Sequence, residues 1–221
     1  MPGMPTMMMP VLMPWTLQHA LFIFTMWTVM MTGMMTPSAT PMVLIYTQVA
    51  RQASTLGKVF APAGWFAMGY MLAWTSFSAL ATTAQYCLER LALLTPMMAT
   101  ANIWLGAALL FAAGAYQFTP LKDACLASCR APLSFVQQHG GFRSDAFSSL
   151  SLGFRHGFYC IGCCWALMAL LFVGGVMNVL WIAGLMIIVL AEKIIPGGRY
   201  ASHIVGLVAI MTGAYLIAKN I

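Results

Sequence analysis

The densest chemistry in this 221-residue chain is the stretch YCIGCCW, where Cys160, Cys163 and Cys164 stand at i, i+3 and i+4. On an α-helix that spacing puts three thiols on one face. Thiolates are soft ligands that select copper(I) or zinc, so three of them can share one ion. A second pair, Cys125 and Cys129 in DACLASC, is again four apart and faces one way if that segment is helical. His156, one turn before Cys160, is placed to join them. The run is not a c-type haem site, because Cys164 follows Cys163 where that motif needs His. It also lacks the knuckle loops of zinc fingers. Redox chemistry is the serious competitor, since a helical C-x-x-C opposite a second cysteine pair can relay electrons between thiols and disulfides. The remaining cysteine, Cys87, reads as a small apolar filler.

Methionine is the second sulfur source, with 20 residues. The start, MPGMPTMMMPVLMP, alternates Met with Pro and has no apolar periodicity, so an extended external segment is expected over 1–14. Farther on, Met30 with Met34 and Met31 with Met35 form i,i+4 pairs in WTVMMTGMMTP. Thioethers need no deprotonation and form no disulfides, which suits copper(I) capture on an oxidising side. Filler packing is the plain alternative for these helical methionines.

Charged groups within apolar runs are functional suspects. Glu192 and Lys193 are expected to pair with each other at the interface, and Arg155 with His156 to anchor a span end. Glu192 and His203 lie at the same predicted level as the cysteines, and His19 sits beside the Met-rich start as a lone interfacial histidine.

These groups need elements to hold them, and composition says which. Only 6% of residues are Asp, Glu, Lys or Arg and 62% are apolar, against about 25% charged in soluble domains. A soluble fold is excluded. The apolar blocks have the length of helices crossing a bilayer of about 30 Å, and they predict an all-α polytopic membrane helix bundle of about six transmembrane helices: 15–36, 62–86, 97–118, 155–177, 178–195 and 200–219. Pro37 and Pro41 in TPSATP predict a break in the first helix, with polar Ser38 and Thr40 at membrane depth, where broken helices line sites or paths. The one long polar connection is 119–154, which carries Cys125 and Cys129, and its Gly140-Gly141 reads as a loop tip. Residues 15–221 form a single transmembrane domain.

The net charge of +6 is spread singly, so no nucleic-acid-binding run exists. Arg51, Lys58, Lys122, Arg130, Arg143, Arg155, Lys193 and Arg199 fall in connections 1, 3 and 5, and only Arg90 and Lys219 fall elsewhere. The positive-inside rule then puts those connections in the cytoplasm and both ends outside. No small-x-small site follows the first apolar block, so a cleavable signal peptide is not expected. No G-x-x-x-x-G-K occurs, which argues against direct coupling to ATP. Gly206, Ala209 and Gly213 offer a small-residue stripe for a neighbouring helix or a second copy in a homo-oligomer.

The segments MMTGMMTPSATPM, GAYQFTPLKDACLASCRAPLSF and GFRHGFYCIGCCWALMALLFVGGVMNVLWIAGLMIIVLAEKIIP resemble a bacterial family of predicted metal-binding integral membrane proteins, a domain of unknown function sometimes labelled copper chaperone. The resemblance covers most of the chain and implies a membrane and a metal. Members often carry an additional span before the Met-rich segment, whereas this sequence begins at MPGMP.

Three functions follow as expectations. The first is copper(I) handling in the bacterial inner membrane, with Met30, Met31, Met34 and Met35 passing the ion toward Cys160, Cys163 and Cys164, assisted by Cys125, Cys129 and His156. Zinc is the other soft candidate, and the expected partner is a copper-dependent membrane enzyme or a copper carrier protein. The second is a membrane thiol–disulfide oxidoreductase using Cys160 and Cys163 with Cys125 and Cys129. The third is a structural accessory subunit in which the sulfur only packs.

Overall fold

The computed structural model describes residues 15–55, 61–139, 141, 145–195 and 197–220. The Met/Pro-rich start, Lys58 and Arg143 lie outside the described residues. Within them the chain is all-α, in the order α1 Leu17–Thr55, α2 Ala63–Arg90, α3 Ile103–Tyr116, α4 Pro120–Arg130, α5 Pro132–Gln138, α6 Ala146–Ala169, α7 Leu171–Gly174, α8 Val179–Ile194 and α9 Gly198–Ala218. Three stretches are long and apolar enough to cross a membrane: Leu17–Gln52, Ala146–Gly174 and Gly198–Ala218. A fourth arises if α3 and α4, bent by 65° at their junction, count as one span. The other two expected spans, α2 and α8, fall outside that test. With 16 residues, α8 is short, and the Trp, Tyr, Ser and Thr residues of α2 dilute its apolarity.

Local chemistry sets the ends. Asn102, Thr119, Asp145 and Asn178 accept hydrogen bonds from the free backbone N–H groups of Trp104, Lys122, Ser148 and Trp181, the usual role of N-cap oxygens. Pro120 and Pro132 open α4 and α5, where a missing N–H costs nothing.

Three sequence expectations are corrected here. The first helix does not break at TPSATP, because α1 runs unbroken through Pro37 and Pro41 for 39 residues, about 58 Å. Hydroxyls around the prolines bond back to the helix: Thr36 to the Thr32 carbonyl, Ser38 to Met35 and Thr40 to Thr36. These bonds keep the hydroxyls satisfied by the helix's own backbone at membrane depth. The connection 119–154 is mostly helix, comprising α4, α5 and the first turns of α6, which starts at Ala146 rather than 155. The third span starts late, since residues 91–102 turn back on themselves through a bridge between Leu94 and Thr100.

Close packing brings α2 against α6 and α3 against α9. A Cβ at Gly153 would run into the Phe66 carbonyl, and one at Gly157 into Ala73 and Tyr70; this Gly-x-x-x-Gly lets two backbones meet, as small residues do in bilayers. Gly206 likewise faces the Gly114 carbonyl and Gln117. The stripe assigned to a neighbour or a second copy is therefore buried within this chain, against α3.

Two ends emerge. At one, Trp15 donates to Glu89, Trp27 packs on Phe172 and the Thr100 N–H bonds the Phe172 carbonyl. At the other, Tyr46 hydrogen-bonds Ser149 at 2.6 Å and stacks on Phe66. The buried core between them holds Met31, Met34, Met35, Trp27, Trp74, Cys160, Cys163, Cys164 and Leu167.

Candidate metal centre

The inward face of α6 reads Ser149, Leu152, Gly153, His156, Cys160, Cys163 and Cys164, all buried. The i, i+3, i+4 rhythm that predicted one face is that face. Helical α4 lies across it. Cys125 and Cys129 pack partly buried against the core that holds Cys160, Cys163 and Cys164. The thiol protons of Cys163 and Cys164 point down the helix, to the Cys160 carbonyl at 3.1 and 2.9 Å. Cys125 sits over Gly162, 2.7 Å from where a Cβ would stand. All described cysteines are free thiols, and Cys87 is exposed on α2, apart from the rest.

Cys160 is the hub. Its Sγ accepts from Lys193 Nζ at 2.8 Å and lies 3.1 Å from the Tyr70 hydroxyl. Tyr70 donates to the Met35 carbonyl at 3.1 Å. Lys193 also donates to Ser38 Oγ at 3.1 Å, and Ser38 donates to that same Met35 carbonyl at 2.9 Å. The result is a closed ring of five groups from α1, α2, α6 and α8. Polar groups in a bilayer core must be satisfied by protein, and here they satisfy each other around a thiol.

Sequence reasoning missed Lys193 and Tyr70. Glu192 and Lys193 do not pair with each other. Successive helical residues point about 100° apart, so Glu192 turns to Lys122, 2.7 Å away with both side chains buried, and Lys193 turns to the thiols. Lys122 also bonds the Gln117 side chain. An intramembrane lysine was the available signal, and its partner depended on how α8 rolls against α6.

Of the methionines, Met31, Met34 and Met35 are buried in the same core as the thiols, and Met30 packs partly buried against it. His156 is buried, and its Nδ1 has no hydrogen-bond partner among the described residues. Its ring contacts are Phe66, Tyr70 and Phe135. Among the described residues, no three His, Cys, Asp or Glu side chains are arranged to hold one ion. What the chain brings together is a set of soft donors, with thioethers in the same core. His203 instead stacks on Phe118, and His19 meets Trp15 edge to face.

Residues 24–216 match the copper chaperone family PpoB2. The chain belongs to that family. The match takes in every clustered thiol, the buried methionines, His156 and Lys193, and it bears out the resemblance read from the sequence. No curated protein and no solved structure matches the chain. A copper chaperone family and helices able to cross a bilayer make this a copper-related membrane protein.

Proposed function

We infer that the protein holds copper(I) within the bilayer and passes it by ligand exchange, from thioethers of Met30, Met31, Met34 and Met35 to thiolates of Cys160, Cys163 and Cys164, with Cys125 and Cys129 assisting. The observation that carries this reading is the Lys193 ammonium beside the Cys160 sulfur, on a helix face whose three thiols are all buried. Two thiolates on a monovalent ion leave one negative charge, and a charge in a membrane needs a partner. Soft sulfur donors suit copper(I), and the family supports copper. The burial of Met31, Met34 and Met35 in the same core supports the thioether leg.

The chain would lie in a bacterial inner membrane, with the ends carrying Arg51, Arg155 and Arg199 in the cytoplasm by the positive-inside rule. Its receiver would be a copper-dependent membrane enzyme or a carrier protein. The test is a copper(I) competition titration of the purified protein, with binding expected to be lost in the triple variant C160S/C163S/C164S. Binding that survives the triple substitution would sink the reading.

A second reading, thiol–disulfide exchange, draws on the packing of Cys125 and Cys129 against the core that holds Cys160 and Cys163. Thiol trapping in cells separates the two. A stable disulfide among these residues favours redox work, and free thiols that become protected on adding copper favour metal handling.

A further inference from the structure

Between α5 and the first turns of α6 lies a cleft of about 240 Å³, lined by His139, Gly141, Phe147, Ser148, Ser149, Ser151, Leu152 and Arg155. Ser149 and Leu152 belong to the same inward face of α6 that carries His156 and the thiols. From Ser149 to Cys160 that face rises about 16 Å. The cleft therefore opens onto the upper end of the stripe that ends in sulfur.

Two histidines stand near this line, and both touch the Phe135 ring. His139 Nδ1 lies 2.8 Å from the Phe135 carbonyl oxygen. A carbonyl only accepts, so Nδ1 carries the proton and Nε2 keeps the lone pair. This is the arrangement that second-shell contacts impose on metal-binding histidines. The His139 ring packs on Phe135 with centroids 4.3 Å apart, and Phe135 also meets His156 in a T-shaped contact at 5.1 Å. His156 is 3% exposed, and its Nδ1 has no partner among the described residues. An orphaned nitrogen at that depth calls for a ligand. Cys160 is one turn farther along.

We propose that His139 is a docking ligand for copper(I), and that His139, Phe135 and His156 form the port between this cleft and the thiol site. The inference rests on the copper(I) reading above. The ion binds His139 Nε2 in the cleft, and as Phe135 swings aside the His139–metal bond is exchanged for one to His156 Nδ1, then for one to Cys160. An imidazole ligand adds no charge of its own, so the charge on the complex is unchanged until a thiolate takes the ion. The polar wall of serines and Arg155 keeps the cleft wet, which lets a water-soluble donor or acceptor reach His139.

The test follows copper(I) extraction from the loaded protein in lipid nanodiscs by a water-soluble copper(I) chelator in stopped flow, for wild type, H139L and H139M. Leucine keeps bulk and removes the ligand, and methionine restores a soft donor. H139L is expected to slow extraction about tenfold while H139M stays within about threefold of wild type, all with equal copper stoichiometry. H139L at the wild-type rate overturns the port. H139M as slow as H139L also overturns it, because His139 would then act by shape. A wild-type chain without cysteine-dependent copper binding overturns the copper(I) reading and the port together, and this is visible in the stoichiometry before any rate is measured.

Discussion

Lys193 Nζ lies 2.8 Å from Cys160 Sγ, joining a cation on α8 to the central thiol of α6 across an apolar core. The contact ties the charge of the metal site to its sulfur chemistry. If the ammonium balances a copper(I) thiolate complex, K193M will weaken copper(I) binding at least about tenfold, because an uncompensated charge stays buried, and K193R will recover part of the loss. Competition titration at fixed pH measures both.

Tyr70 bridges Met35 and Cys160 through one hydroxyl. Y70F removes that bridge and leaves the Met35 carbonyl with the Ser38 bond. Thermal unfolding in detergent is expected to show a loss of about 1 kcal/mol, with copper stoichiometry unchanged. A Y70F protein that no longer binds copper would make Tyr70 part of the metal site itself.

The buried pair Lys122 and Glu192 fastens α4, the helix carrying Cys125 and Cys129, to α8. K122M leaves Glu192 uncompensated and should destabilise the protein by about 3 kcal/mol or more. The double variant K122M/E192L removes both charges and should recover most of that stability. A double-mutant cycle of unfolding midpoints tests the pair, and additive losses would deny the coupling.

Glycine packing gives a contrast inside one protein. G153A places a methyl against the Phe66 carbonyl, whereas nothing stands within 4 Å of a Cβ at Gly33. G153A should cost about 1–3 kcal/mol through forced separation of α2 and α6, and G33A should be neutral or stabilising, since alanine favours a helix interior by about 1 kcal/mol. Equal behaviour of the two variants in thermal unfolding would contradict the packing.

The sequence alone determined the all-α membrane class, because charge content and apolar block length depend on composition alone. It also determined the shared faces of Cys160, Cys163 and Cys164 and of Cys125 and Cys129, because spacing along a helix is a local property that tertiary packing does not alter. The caps at Thr119, Asp145 and Asn178 are local in the same way. Tertiary structure decided the rest. Proline argued for a break at TPSATP, and α1 nonetheless runs through it as one helix. Glu192 and Lys193, neighbours in sequence and opposite in charge, looked like partners, and the roll of α8 sent one to Lys122 and the other to Cys160. His139 carried no spacing signal at all. Its meaning comes from Phe135, whose ring touches both it and His156, and ring contacts between different helices depend on packing geometry that no local pattern encodes.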